Sequence, residues 1–230
     1  MMPKPESSSH ASVTLETATL FGLAVEAARE IKAAPRDGGK RRALISVVFS
    51  VIALESFINE MTDYAQDMTA YQPSVEGPEA VLFAQVMGDA EDAHARLESK
   101  FTLAKWIVSG QNTDRGGQPY QDFALLIRLR NDLVHTKPNK LFVYGETTME
   151  EAHGALLKRF KGKDILAGDG ITGSWTYLIQ TKAVAEWSCR TAALVVNDLC
   201  SLVPKVGFGT VLDFVNQAFQ SHIATLGITS

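Results

Sequence analysis

The stretch PYQDFALLIRLRNDLVHTKP, residues 119–138, carries the apolar spacing of a helix packed along one side. Take Phe123 as zero and step about 100° per residue. Leu133 then falls at about 280°, Leu126 at about 300°, Val134 at about 20° and Ile127 at about 40°. These residues define the stripe predicted to be buried. Arg130 falls at about 340°, in the centre of that stripe. Asn131 and His135 are four positions apart, so they share one flank of it. Gln121, Arg128 and Asp132 fall on the solvent side. Pro138 stops the helix, because a proline disfavours helical conformation in the residue before it, here Lys137.

Outward from this helix, the chain reads as helices throughout. Ser12 or Thr14 is the expected cap of a helix running to about residue 34, ended by APRDGG. A long helix follows from Lys40 to Tyr71. Its middle, ALISVVFSVIAL at 43–54, is apolar on every side, as expected of a helix buried all round. That run is too short to span a bilayer, which takes about 20 residues. After QPSVEGPEA come two helices, near 78–96 and 97–109, with no clean break between them. SGQNTDRGGQP is a polar, glycine-rich loop leading into the 119–136 helix. In 139–174, KLFVYG reads as a short strand or extended arm, MEEAHGALLKRF as an amphipathic helix and KGKDILAGDGITG as a loop. Residues 174–204 read as one long helix closed by Pro204, and a last helix runs near 210–225. With no repeat and no strand alternation of useful length, the predicted class is all-α. The expected architecture is an irregular bundle of about seven or eight helices, in one domain over 12–230 behind a disordered tail at 1–11.

Arg130 needs a partner, because a guanidinium stays charged and is rarely buried alone. Two readings stand side by side. Arg130 forms a structural ion pair, with Glu55 in VIALESFINEM as the candidate. Or the stripe faces a cleft or a second subunit, and Arg130 waits there for an anion. His135 is equally two-sided: it caps the negative end of its helix, or it moves a proton. Arginine, asparagine and histidine on adjoining faces of a helix end make a phosphate site. The fork holds phosphate oxygens, the imidazole transfers a proton, and the amide orients one of them.

LRNDLVH at 129–135 fits the R-(polar)-x3-H signature of HEPN domains, an all-helical family associated with nucleotides and RNA. ALESFINEM resembles that family's early core helix. LESKFTLAKWIVSG and the 119–138 stretch resemble the segments leading into the motif, and TKAVAEWSCRTAALVVNDL its closing helix. The resemblance spans roughly residues 40–203. It implies a HEPN-like bundle and a metal-independent endoribonuclease, with no cofactor, acting as a homodimer whose motif helices face each other. Arg130 would stabilise charge on the phosphate. His135 would act as general base or acid while the ribose 2′-OH attacks, and Asn131 would orient His135 or the phosphate. Products would be a 2′,3′-cyclic phosphate and a 5′-OH end. Arg128 and Lys137 are further candidates for holding RNA. The family setting implies a cytoplasmic toxin or defence protein, with an antitoxin protein as a further partner. It also includes members that bind without cutting, so two alternatives remain: a catalytically inactive helical interaction module, and a nucleotide-binding sensor.

Composition narrows the field further. A net charge of −4 argues against a general nucleic-acid coat or a membrane-surface binder, so RNA binding would rest on local cations. The candidates are Lys40, Arg41 and Arg42, and Lys158, Arg159, Lys161 and Lys163; solvated helix faces explain the same runs. Cys189 and Cys200 lie in an apolar helix and are expected to be buried free thiols, about 16 Å apart along its axis. The N-terminal MMPKPESSSHAS lacks the apolar core of a signal peptide. No metal-ligand spacing or phosphate loop is present. His94 is expected on an exposed helix face, and Trp106, Trp175 and Trp187 in the core.

Overall fold

A computed structural model describes residues 15–31, 38–71, 78–135, 150–166, 175–203 and 208–227. The expected tail at 1–11, caps Ser12 and Thr14, arm KLFVYG, and Lys137, Pro138 and Pro204 lie outside these residues. Among the described residues there are nine helices and no strand. They are α1 (Thr17–Arg29), α2 (Gly38–Tyr71), α3 (Pro78–Asp92), α4 (Leu97–Ser109), α5 (Tyr120–Val134), α6 (Glu150–Lys161), α7 (Trp175–Leu178), α8 (Lys182–Cys200) and α9 (Phe208–Ala224). The all-α class read from the sequence is the class observed.

The 34-residue α2 is the spine, packed against α1, α3, α4, α5, α8 and α9. Val47, Val51, Leu54, Phe57, Ile58 and Met61 are fully buried on it. It is not buried all round, as its run of apolar residues suggested: Ile45 is exposed and Ile52 half-buried. The half-buried face continues as Glu55, Ser56, Asn59 and Glu60; Ser56 bonds Glu60 within α2, and Glu55, Asn59 and Glu60 reach neighbouring helices. Arg41–Ala70 is the one helix among the described residues long and apolar enough to cross a membrane, and half of its most apolar stretch is buried in the fold.

Three of the helix ends differ from the sequence reading, each for a local reason. The backbone turns at residues 93–96 between α3 and α4, with His94 at φ 51°. His94 is therefore exposed in a turn rather than on a helix. The long helix expected at 174–204 is two, because Thr181 is extended and its hydroxyl accepts from the Val184 N–H at 3.0 Å, starting α8 afresh. Thr181 Oγ1 also donates to the Ile165 carbonyl at 2.7 Å, tying the end of the α6 segment to this break. At α1 no side chain of its own caps the helix. Instead Glu60, from α2, accepts from the backbone N–H groups of Glu16 and Thr17 (2.9 and 3.0 Å) and from Thr17 Oγ1 at 2.7 Å. Glu60→Ala is expected to lower stability by about 1–2 kcal/mol, the cost of a lost cap, measured as a shift in the urea midpoint at constant m.

Aromatic rings join the helices. Phe21 of α1 stacks on Phe219 of α9 at 4.0 Å. Phe101 of α4 lies between Phe57 of α2 and Phe123 of α5, at 6.0 and 5.0 Å, so the three helices that carry the candidate site share one aromatic run. Trp175 is core, and Trp187 is half-buried with its indole N–H donating to Asp122 at 3.1 Å. Trp106 is not core: it is 47% exposed, on the outer face of α4.

Both cysteines are free and buried. Cys189 lies in a small polar seam with Ser46, Ser50 and Ser188 between α2 and α8. Burial pushes its thiol up, against hydrogen bonds from those serines. Burial, with Asp213 adding to it, pushes Cys200 up to about 12. The thiolate is the reactive form. Neither cysteine is therefore expected to take up a thiol-alkylating reagent at pH 8 until denaturant is added, which mass spectrometry reads directly. The folded chain keeps the Cys200 proton between the ordinary thiol range and about 12, so stability falls as pH rises through that window.

Candidate active site

Helix α5 buries Phe123, Leu125, Leu126, Ile127 and Leu129. The buried arc therefore reaches further toward Leu125 and Leu129 than the predicted stripe. It also closes earlier along the axis: Leu133 is half-buried and Val134 is 53% exposed, not core. The last turn of α5 leaves the bundle, and Arg130 sits at that exit. His135 is the C-cap, its backbone N–H donating to the Asn131 carbonyl at 2.9 Å, and its side chain is exposed.

Arg130 is held by Glu55 from α2. Both contacts use one nitrogen, Nη2, which donates to Oε2 at 3.0 Å and Oε1 at 3.2 Å. Nη1 donates to Asn131 Oδ1 at 3.1 Å, and Nε is buried without a hydrogen-bond partner. The pair is not sealed, since the side chains are 22% and 39% exposed. Arg130, Asn131 and Glu55 are thus brought together, and His135 stands one turn beyond Asn131. Arg128 is exposed on the far side of α5.

Three further groups belong to the same cluster and were not anticipated. Lys100 of α4 is 8% exposed; its ammonium donates to Asn59 Oδ1 at 3.2 Å and pairs with Glu91 of α3. Asn59 lies one turn along α2 from Glu55. Burial pushes the Lys100 ammonium below its ordinary range, while the nearby charge of Glu55 works the other way. The sequence signal existed: on a helical wheel Lys100 falls between Ala104 and Ile107, inside the apolar arc of α4, just as Arg130 does in α5.

The basic runs are less open than their composition suggested. Arg42 pairs with Glu30, and Lys163 with Asp122 at 2.6 Å. Arg41, Lys158 and Arg159 are exposed. Among the described residues no group of three or more His, Cys, Asp or Glu could hold a metal ion. A cleft of about 60 Å³ lies elsewhere, lined by Phe101, Lys105, Thr113, Tyr120, Phe123 and Asp198 among others. Lys105 pairs there with Asp198 at 2.7 Å, and the Thr113 hydroxyl is buried without a partner. Phe123 is about 10 Å from Arg130 along α5, so this cleft is separate from the arginine cluster. No protein-family model matches the chain, and no curated protein or solved structure matches it either.

Proposed function

We propose that the chain is a metal-independent endoribonuclease of the HEPN type, acting in the cytoplasm as a homodimer in a toxin or defence role. The observation that carries this reading is that Arg130 and Asn131, hydrogen-bonded to each other, stand where the end of α5 emerges from the core, with His135 exposed at its C-cap one turn beyond Asn131. An arginine fork held by an amide, with an imidazole one turn on, suits phosphate chemistry that needs positioning and charge stabilisation rather than a cofactor. His135 takes the proton of the ribose 2′-OH. The 2′-oxygen bonds to phosphorus, the bond to the 5′-oxygen breaks, and the leaving oxygen receives a proton. Arg130 stabilises the charge that builds on the non-bridging oxygens. A second copy of α5 would supply the second imidazole, and the exposed Val134 lies on the surface that would meet it.

One observation favours a second reading. Glu55 already pairs with Arg130 within one chain, as expected of a catalytically inactive helical interaction or nucleotide-binding module. The test is incubation of an end-labelled RNA mixture with the purified protein in EDTA. Cyclic-phosphate and 5′-OH ends are expected. Intact RNA in every condition would leave the module reading in place.

A further inference from the structure

Glu55 occupies Arg130 in an incomplete way. The strongest arginine–carboxylate pairs use two parallel N–H groups, yet here both carboxylate oxygens share Nη2, Nη1 goes to Asn131 and Nε has no partner. The Glu55 side chain is also 39% exposed, so it has room to turn. On the same face of α2, one turn on, Asn59 holds the Lys100 ammonium. Two cations are therefore held along one face of α2, Arg130 by Glu55 and Lys100 by Asn59 one turn on; Lys100 also pairs with Glu91 and feels the charge of Glu55. A phosphate arriving at Arg130 while Glu55 stays would set two anions on one guanidinium, a like-charge juxtaposition that disfavours binding.

We propose that Glu55 is a displaceable gate on Arg130: it holds the guanidinium when no RNA is bound and swings to the Lys100 ammonium when a substrate phosphate takes its place. This rests on the reading of Arg130 as a phosphate ligand. After the exchange, Arg130 faces the phosphate and Lys100 faces Glu55 and Glu91. Burial alone disfavours a charged Lys100, and the approach of Glu55 offsets that, so the ammonium gains from receiving it. Glu55 acts through Arg130 and is a positioning residue.

The experiment measures binding, so that it reads independently of cleavage. A fluorescent single-stranded oligoribonucleotide is titrated by anisotropy, across a salt series, into His135→Ala protein with and without Glu55→Gln. Glu55→Gln is expected to tighten binding about tenfold and to steepen the salt dependence by about 0.7, the value for one more phosphate contact on a single strand. Glu55→Asp, which keeps the carboxylate, restores the weaker binding, and adding Arg130→Ala to Glu55→Gln abolishes the gain. Lys100→Met, which removes the receiving cation, weakens binding about tenfold, as loss of the exchange partner requires. Unchanged or weaker binding in Glu55→Gln overturns the gate, and so does unchanged binding in Lys100→Met; a purely structural Glu55 would lower the melting temperature and leave affinity and salt slope alone. RNA cleavage by the wild type without the Glu55→Gln gain would keep the nuclease reading and reject the gate. The Arg130-dependent gain without any cleavage would keep the gate and reject the nuclease.

Discussion

Arg130→Ala is expected to lower the rate of RNA cleavage roughly 10²–10³-fold, the usual cost of removing one preorganised charge donor from a reacting phosphate or carbonyl. The same substitution is expected to cost only about 1 kcal/mol of stability, because both side chains of the pair with Glu55 are partly exposed. Activity and urea unfolding measured on one preparation separate the two roles. A rate near that of wild type combined with a loss of about 3–5 kcal/mol, the cost of breaking a buried pair, would make Arg130 a structural residue and support the interaction-module reading. Arg130→Lys sharpens the comparison. It keeps the charge but loses the planar fork that bonds Glu55 and Asn131 together, so it should recover stability better than rate. His135→Ala should lower the rate by about 10²–10⁴-fold with little change in stability, since its side chain is exposed and its capping bond is made by the backbone.

Phe123→Ala is expected to have the largest effect on the fold, a loss of about 3–5 kcal/mol. Phe123 is 1% exposed, edge-on to Phe101 at 5.0 Å and to Tyr120 at 6.1 Å. Removing the ring leaves a void between α4 and α5 that rigid neighbours fill poorly. Domain stability is commonly about 5–15 kcal/mol, so this one ring carries a large share of it. The measurement is the urea midpoint at constant m, with Phe123→Leu as the milder control, expected at about 1–2 kcal/mol. A Phe123→Ala loss under about 1 kcal/mol would mean that α5 is docked chiefly by its leucines.

The sequence revealed the helical class because apolar period is a local property and the helices here are long. It also revealed the tension at Arg130, and Glu55 as its candidate partner, because an arginine in an apolar stripe requires a counter-charge and VIALESFINEM offers a carboxylate directly after an apolar run. It was less informative wherever partners come from distant segments. Glu60 caps α1 from 43 positions away, so nothing near Thr17 announces it. Thr181 looked like one more residue in a long apolar run, because its role depends on a backbone turn and on the Ile165 carbonyl. Lys163 and Arg42 looked like open cations because their counter-charges, Asp122 in α5 and Glu30 at the end of α1, come from other segments. Lys100 was missed for a different reason: its place in the apolar arc of α4 was readable and carried the same message as Arg130.

The single long helix α2 has a consequence for how this chain can vary. Ser46 and Ser50 near its start face α8, whereas Glu55, Asn59 and Glu60 further along face α5, α4 and α1. All of these are locked in phase by one continuous helix. One residue inserted between Val51 and Leu54 would turn everything beyond it by about 100° and shift it by about 1.5 Å. Glu55 would lose Arg130, Asn59 would lose Lys100 and Glu60 would lose α1 in the same event, while the serine seam stayed in place. Length changes should therefore be rejected within α2, where even a four-residue insertion, just over a full turn, would carry each group about 6 Å along the axis from its partner.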